Sequence, residues 1–427
     1  MFGFFTVIYC IANILYISTS VQSYPELDFR VSKAIGSKGY DKIRISVISD
    51  NLNTSEYSNL FTYNQQFKYR WTDKYLSTGI TSIIPGNDNI IKIGEQEIKV
   101  NIPIQGQGVR GLIIGDPCYS SEFITCAYKD KFNILNHLTT LINAMNSHSD
   151  VSYWLLLGDN FYDKYGELTS NFFKKLSYDT KSKIFLQIPG NHDFWVKGGP
   201  DVWTKSDQLG NGNFQYYAQD VIASTDESPY DFSVNPDINP SSENIPVASN
   251  FFTYNMIGNV LMVAFSGAHT YESMLPYFIE SCNYATEVNP SLIFILGHWN
   301  DVGMGAPSSV PNIYNNLTVL PECIPHKTKL RYFEGHQHCN QIVEPDIGFM
   351  VGANGMSDSR CGGEFGLPIV DTTDSRFRIY YFPINKLSLL HPKLDYDNYD
   401  KVLDCILKNG VSNCYDLAIL WVDTPIS

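Results

Sequence analysis

Five short polar motifs carry the side chains in this chain that are best suited to bind metal ions. Each motif begins with glycine, and together they supply carboxylate, phenol, amide and imidazole groups. The candidate metal ligands are Asp116, Asp159, Tyr162, Asn191, His298, His336 and His338, and His192 adjoins one of them. Donors of these types suit a pair of first-row metal ions. Two such ions lying close together can activate a hydroxide and support an in-line displacement at phosphorus.

Each motif taken alone has an ordinary structural alternative. Asp116 could cap a turn at the end of a strand, and Tyr162 could be a packed core residue with a satisfied hydroxyl. The GNHD motif could be a turn rich in Asn and Asp, and His298 could be a partly buried structural histidine. The pair His336 and His338 is more specific, because the two histidines follow an apolar run with one residue between them. The five motifs in combination favour a metal site.

Apolar runs recur from residue 111 onward, and a polar cluster follows each of them. The runs lie at 111–114, 153–157, 183–188, 260–265, 292–296 and 330–334. Continuous hydrophobicity is typical of strands buried on both faces, and the segments between the early runs have helical spacing. The alternation predicts an α/β fold, in which ligands bind beyond the carboxyl ends of the strands.

The motifs in this order resemble those of the calcineurin-like metallophosphoesterase superfamily, specifically its purple acid phosphatase branch. They are GD at 115–116, GDNFY at 158–162, GNHD at 190–193, GH at 297–298 and GHQH at 335–338. The resemblance covers roughly residues 108–385. It implies a metallophosphoesterase-type α/β sandwich, with mixed sheets flanked by helices. It also implies a hydrolase that cleaves phosphate monoesters by attack of a metal-bound hydroxide.

The same resemblance implies a role for each site residue. The ligands would divide between a ferric ion, bound by Asp116, Tyr162 and His338, and a divalent iron, zinc or manganese ion, bound by Asn191, His298 and His336. Asp159 would bridge the two ions. His192 would contact the phosphate or assist the leaving group, so His192 and Asp159 are the candidate catalytic residues. Phenolate is a hard, strongly donating ligand, which explains why Tyr162 would favour Fe(III).

Cys118 departs from the superfamily pattern, because most members have a histidine ligand at this place. A thiolate there could bind metal. An even count of eight cysteines after the N-terminal segment favours a disulfide instead, and Cys126 is a nearby partner. These eight cysteines allow up to four disulfides, whose pairing the sequence does not fix.

A second departure follows His298, where family members commonly have another histidine that contacts the substrate. The segment after His298 contains none, and Asn300, Asp301 or His269 could take its place. The general acid and the substrate therefore stay open. A diester, a pyrophosphate or a phospholipid head group is the main alternative to a monoester. A secreted binding protein without catalytic activity is a weaker alternative, since no ligand of the set is missing.

The remaining organisation is predicted from composition. We expect a signal peptide at 1–23, a small β-rich domain at 24–105, the metallophosphoesterase domain at 106–385 and a C-terminal capping segment at 386–427. The irregular stretch 209–250 could be a lid over the substrate or an ordinary surface insertion.

Charge and targeting signals limit the partners. The net charge of −14 argues against nucleic-acid binding and leaves a small phosphorylated substrate as the expected partner. We expect a secreted or lumenal protein, including a lysosome-like compartment, with no stable membrane anchor after signal cleavage. Sequons at Asn53 and Asn316 are compatible with this route. The oligomeric state stays open.

Overall fold

The fold is described from a computed structural model. It covers residues 27–36, 39–49, 65–68, 75–93, 96–119, 126, 134–163, 166–193, 217–224, 248–303, 306–353, 365–385 and 397–426. The predicted signal peptide, the sequon at Asn53, Cys361 and most of the 209–250 stretch lie outside these residues. No helix among the described residues is long and apolar enough to cross a membrane.

A ten-stranded mixed sheet forms one half of the fold. Its strands, in sheet order, are β3 (Gln65–Lys68), β4 (Tyr75–Ser82), β2 (Lys42–Ser49), β1 (Asp28–Lys33), β9 (Ile184–Gln187), β8 (Tyr153–Leu156), β7 (Arg110–Ile114), β16 (Phe365–Asp371), β17 (Arg376–Asn385) and β18 (Ile419–Pro425). The central strands β7, β8 and β9 are adjacent and parallel. Three of the apolar runs predicted to be buried strands therefore lie side by side at the centre of this sheet.

A six-stranded mixed sheet forms the other half. Its strands are, in order, β10 (Thr253–Ile257), β11 (Val260–Ala264), β12 (Leu292–Leu296), β13 (Leu330–Glu334), β15 (Gly348–Val351) and β14 (Asn340–Glu344). Strands β11, β12 and β13 are parallel neighbours. These strands are the other three predicted apolar runs, so all six predictions are confirmed.

Helices cover the outer faces of both sheets. They are α1 (Ile134–Asn146), α2 (Glu167–Lys174), α3 (Tyr178–Lys181), α4 (Tyr271–Val288), α5 (Val310–Leu317) and α6 (Asp397–Asn409). The first two confirm the helical spacing that the sequence shows between the early strands. Short 3₁₀ turns occur at Ala248–Phe251, Ile324–Lys329, Thr373–Ser375 and Val411–Leu417.

Three buried clusters define the layers. In the first, side chains of the two sheets meet face to face, for example Leu155 of β8 and Phe294 of β12. In the second, the opposite face of the large sheet packs against α1, α2 and α6, and this cluster includes Trp154 of β8 and Ile142 of α1. In the third, α4 and α5 cover the six-stranded sheet, and Phe278 is buried there. The result is a helix–sheet–sheet–helix sandwich, which confirms the predicted fold class.

The N-terminal residues are rich in strands, as predicted. Strands β1 to β4 extend the large sheet, because β1 pairs in parallel with β9 at Val31 and Ile184. A separate hairpin, β5 (Asn89–Ile93) and β6 (Gln96–Val100), follows them. The strand-rich segment and the sheet that carries the predicted ligands thus share one hydrogen-bonded framework.

Three disulfides join described cysteines, namely Cys118–Cys126, Cys282–Cys323 and Cys405–Cys414. Cys339 is also disulfide-bonded. The first pair confirms the disulfide expected for Cys118, whose sulfur is therefore not a free thiolate. The third pair lies in the C-terminal segment, which adds α6 and the edge strand β18 to the sandwich.

Candidate metal centre

The predicted ligands lie on loops that begin where parallel strands end. The loops after β7, β8 and β9 carry Asp116, Asp159 and Asn191, and the loops after β12 and β13 carry His298 and His336. Because the central strands of each sheet are parallel, their carboxyl ends share an edge. The two sheets face each other, so both sets of loops meet at one end of the sandwich.

Hydrogen bonds between these loops fix their relative positions. The carbonyl oxygen of Leu157, in the loop after β8, accepts a 2.8 Å hydrogen bond from His298 Nδ1. This bond leaves His298 Nε2 facing the cluster. Asp116 Oδ2 accepts a 3.0 Å hydrogen bond from the backbone amide of His336. The large sheet and the six-stranded sheet are therefore joined at the site itself.

A first group of donors consists of Asp116, Asp159 and His338. One donor atom from each residue lies within 4.8 Å of the others. The hydroxyl of Tyr162 adjoins this group, at 3.0 Å from His338 Nε2 and 3.5 Å from Asp116 Oδ1. Tyr162 and both aspartates are almost completely buried. The structure thus brings together the four residues that the sequence assigns to one ion and to the bridge.

A second group consists of Asp159, His298 and His336, whose donor atoms also lie within 4.8 Å of one another. His298 Nε2 is 3.3 Å from Asp159 Oδ2 and 3.3 Å from His336 Nδ1. Asp159 therefore belongs to both groups. A carboxylate shared by two donor groups is the arrangement that a bridging ligand requires.

Asn191 and His192 line the cleft that Asp159, His336 and His338 also line. The Oδ1 atom of Asn191 is buried, and it has no hydrogen-bond partner within the described part of the chain. A buried amide oxygen without a partner is costly, and a cation would satisfy it. The backbone amide of His192 donates a 2.9 Å hydrogen bond to Asp159 Oδ1.

The electrostatics of the cluster also fit bound cations. Burial raises the pKa of Asp116 well above its usual range. Burial alone would lower the pKa of His298, but the charges of Asp159 and Asp116 raise it to about 9. Burial and the adjacent His298 lower the pKa of His336 to about 4. Without a cation, the negative charge of the buried carboxylates is compensated by protons that the cluster retains.

Five of the seven predicted ligands have left-handed backbone conformations. Their φ angles are 51° at Asp116, 51° at Asp159, 53° at Tyr162, 73° at His336 and 53° at His338. Non-glycine residues adopt this region infrequently, and such residues concentrate at functional sites. The conformation turns the chain sharply after each strand, so that the side chains converge.

Asp193 and Asn160 are site residues to which sequence reasoning gave no role. Asp193 accepts hydrogen bonds from the backbone amides of Gly190, at 2.7 Å, and Asn160, at 3.0 Å. The Asn160 side chain donates to Asp193 Oδ2 at 3.2 Å. These bonds tie the loop of Asn191 to the loop of Asp159. The sequence did carry a signal for Asp193, which is the last residue of the GNHD motif.

The cleft has a volume of about 290 Å³. Its described lining consists of Asp159, Asn191, His192, Asn300, Asp301, Val302, Gly303, His336, Gln337 and His338. Asn300 and Asp301, two of the three residues considered for the missing histidine, thus face the same space as the ligands. His269 is not among the described lining residues; it is buried with its ring 5.3 Å from that of Phe251.

Comparison with known proteins gives structural matches only. No protein-family model matches the chain, and no curated protein sequence matches it. A purple acid phosphatase isolated from yellow lupin (Lupinus luteus) seeds is similar, with a TM-score of 0.55 and 12% identity over 87% of this chain and 75% of that one. A predicted phosphoesterase from Streptococcus pneumoniae TIGR4 has a TM-score of 0.25 and 11% identity, over 65% of this chain and 90% of that one. Vps29 of Chaetomium thermophilum has a TM-score of 0.28 and 10% identity, over 67% of this chain and 94% of that one.

Of these three structures, the lupin phosphatase is the one that supports a shared fold. At 12% identity the similarity concerns the fold and not the activity. It confirms the metallophosphoesterase-type sandwich predicted from the motifs.

Proposed function

We propose that this chain is a metal-dependent phosphoester hydrolase that holds two metal ions and cleaves phosphate monoesters. The observation that carries the proposal is the overlap of two donor groups at Asp159, beside an open cleft. The fold shared with a purple acid phosphatase supports the proposal. When bound, two ions supply Lewis acidity that activates water and neutralises charge on the phosphoryl oxygens.

We assign the ligands as the two donor groups divide. One ion would be held by Asp116, Tyr162 and His338, and the other by Asn191, His298 and His336, with Asp159 shared. Burial opposes ionisation of Asp159, but the neighbouring His298 and His192 hold its pKa below the usual range. Asp159 therefore keeps its negative charge, which a bridging ligand needs.

His192 is the residue we assign to the substrate. It lines the cleft, and its ring lies 4.7 Å from the ring of Tyr162. Its Nδ1 atom has no hydrogen-bond partner among the residues that the structure describes. An imidazole in this place can donate to a phosphoryl oxygen or move a proton to the leaving oxygen. His192→Asn should lower kcat while the metal content stays that of the wild type.

The ferric assignment rests on Tyr162. A tyrosinate bound to Fe(III) absorbs visible light through charge transfer, so the purified protein should be coloured. Tyr162→Phe should lose the band, whereas Tyr153→Phe, a buried tyrosine of β8 outside the donor groups, should keep it. A colourless, iron-free protein with full activity contradicts the ferric assignment. Metal analysis of the same sample identifies the divalent ion as iron, zinc or manganese.

The substrate assignment is tested with a monoester, a diester and pyrophosphate, assayed side by side. We expect the highest kcat/KM for the monoester. A strong preference for the diester or pyrophosphate would replace the monoester assignment and keep the metal centre. The alternative of a silent binding protein predicts no hydrolysis of the three substrates. It also predicts that His298→Ala and Asp159→Asn leave the protein's binding function unchanged.

We also propose that the protein follows the secretory route. Five described cysteines besides the pair near the site are disulfide-bonded, which supports an oxidising compartment. Expression of the full chain in eukaryotic cells should yield a protein in the medium or in a secretory lumen, with its N-terminus near residue 24. Retention in the cytosol with an intact N-terminus contradicts this route.

A further inference from the structure

One rim of the cleft is formed by the loop that follows β12. Residues 300–303 of this loop line the same cleft as Asp159. The loop is anchored by Trp299, which is buried, and the backbone groups of Gly303 and Ala306 exchange hydrogen bonds of 3.0 and 2.8 Å. The backbone of the rim is therefore anchored at both ends, next to residues of the candidate metal centre.

Asp301 gives this rim a negative charge. Asp301 is exposed. The described lining of the cleft contains no lysine or arginine that could neutralise it. Among the described lining residues, Asp301 is the acidic residue that is not a proposed metal ligand.

Val302, the next residue in the chain, adds apolar surface beside that charge, since the residue is 50% exposed. An alcohol that carries a short hydrocarbon chain and an ammonium group would contact both residues favourably. An alcohol that carries a second phosphate or a carboxylate would be repelled by Asp301. The charge and the apolar surface thus favour one class of leaving group over the common anionic ones.

We propose that the preferred substrates are phosphate esters of amino alcohols, bound with the ammonium group towards Asp301 and the hydrocarbon part against Val302. This inference rests on the proposed hydrolase function and specifies its substrate class. A single unit charge at the edge of a hydrated cleft changes affinity by about threefold to tenfold. We therefore expect a difference of this size between a substrate with the ammonium group and one without it.

The test compares two substrates of nearly equal shape, phosphoethanolamine and n-propyl phosphate, in which an ammonium group replaces a methyl group. The wild-type protein, loaded with metal, should show a kcat/KM about threefold to tenfold higher for phosphoethanolamine. The two leaving alcohols differ in pKa, so the effect of the Asp301 charge is read from the change in this ratio between variants. The ratio should fall by about threefold to tenfold in Asp301→Asn and further in Asp301→Lys. Asp404→Asn, an exposed aspartate on α6 outside the cleft lining, should keep the wild-type ratio.

A binding measurement provides a readout that does not depend on turnover. Calorimetry with 2-aminoethylphosphonate and n-propylphosphonate should give dissociation constants that differ in the same direction and respond in the same way to Asp301→Asn. Equal values for both ligands in the wild type overturn the inference. An equal loss of kcat/KM for both esters in Asp301→Asn also overturns it, because that result indicates a role in shaping the loop or in proton transfer and not in selecting the ammonium group.

The two levels of the proposal fail in distinguishable ways. If metal-loaded wild-type protein hydrolyses p-nitrophenyl phosphate but shows no preference between the matched esters, the substrate class is wrong and the hydrolase function stands. If it hydrolyses none of the three esters, the hydrolase function is wrong and the substrate class falls with it.

Discussion

The pH dependence of metal loading tests the candidate centre through one buried histidine. Burial lowers the pKa of His298, but the carboxylates of Asp159 and Asp116 outweigh this effect and raise the pKa to about 9 in the metal-free protein. His298 is fully buried, so solvent screens these charges little. A metal ion binds the imidazole only after its proton has left. Metal binding at neutral pH must therefore release that proton.

The size of the effect follows from the same value. At pH 7, about 2 units below the pKa of about 9, the cost of removing the proton lowers the apparent association constant for the metal about a hundredfold, or by roughly 3 kcal/mol. The apparent association constant should rise about tenfold for each pH unit over this interval and level off above it. Burial also raises the pKa of Asp116, so proton release can exceed one per loaded centre but cannot be zero.

The assay titrates metal-free protein with Zn²⁺ against a chromophoric chelator between about pH 6 and pH 9. Calorimetry in two buffers with different ionisation enthalpies counts the protons released. His298→Gln should reduce the count by about one. The control is His326→Gln: burial and Lys329 lower the pKa of His326, so this histidine is neutral at pH 7 and its loss should not alter the count. Tight Zn²⁺ binding that releases no proton and does not vary with pH would refute the reasoning.

Three other changes test contacts outside the donor groups. Asp220→Ala removes the carboxylate that faces the buried Arg44 guanidinium at 2.9 Å and should lower the free energy of unfolding in urea by about 3–5 kcal/mol; a loss below about 1 kcal/mol contradicts this. Replacing Cys405 and Cys414 with serine opens a loop with a sequence separation of 9 and should cost about 2–3 kcal/mol, seen as a lower Tm by calorimetry; an unchanged Tm argues against it. Gly115→Ala would place a β-carbon 1.7 Å from a backbone carbonyl oxygen of β15, so the variant should be recovered unfolded or without metal; a soluble, metal-loaded variant speaks against this prediction.

The convergence of the proposed ligands could be predicted from sequence because local signals specify where each motif lies. Each of the strands β7, β8, β9, β12 and β13 is a continuous apolar run, and each ligand motif begins within one to three residues of a strand end. In a sandwich of parallel strands, that placement alone brings distant motifs to one edge. The donor types then identify the chemistry.

Other features depend on contacts that sequence does not encode locally. The hydrophobic pattern indicates that β1 is a strand, but its pairing with β9 joins Val31 to Ile184 across the chain. The same holds for the disulfide between Cys282 and Cys323, since eight cysteines allow about a hundred pairings. The bonds of Asp193 depend on loop conformations that form only after the sheets have packed.

The left-handed backbone at five proposed metal ligands places stability in conflict with the proposed metal binding. Each non-glycine residue in this region costs about 1 kcal/mol, so the five together cost roughly 5 kcal/mol, as much as the whole net stability of many domains. Bound ions return that energy, because they bind the folded state and not the unfolded one. In a protein that bound no metal, glycine at these positions would relieve the backbone strain. Side chains at all five positions are therefore costly to a chain that binds nothing, and bound metal ions would offset that cost.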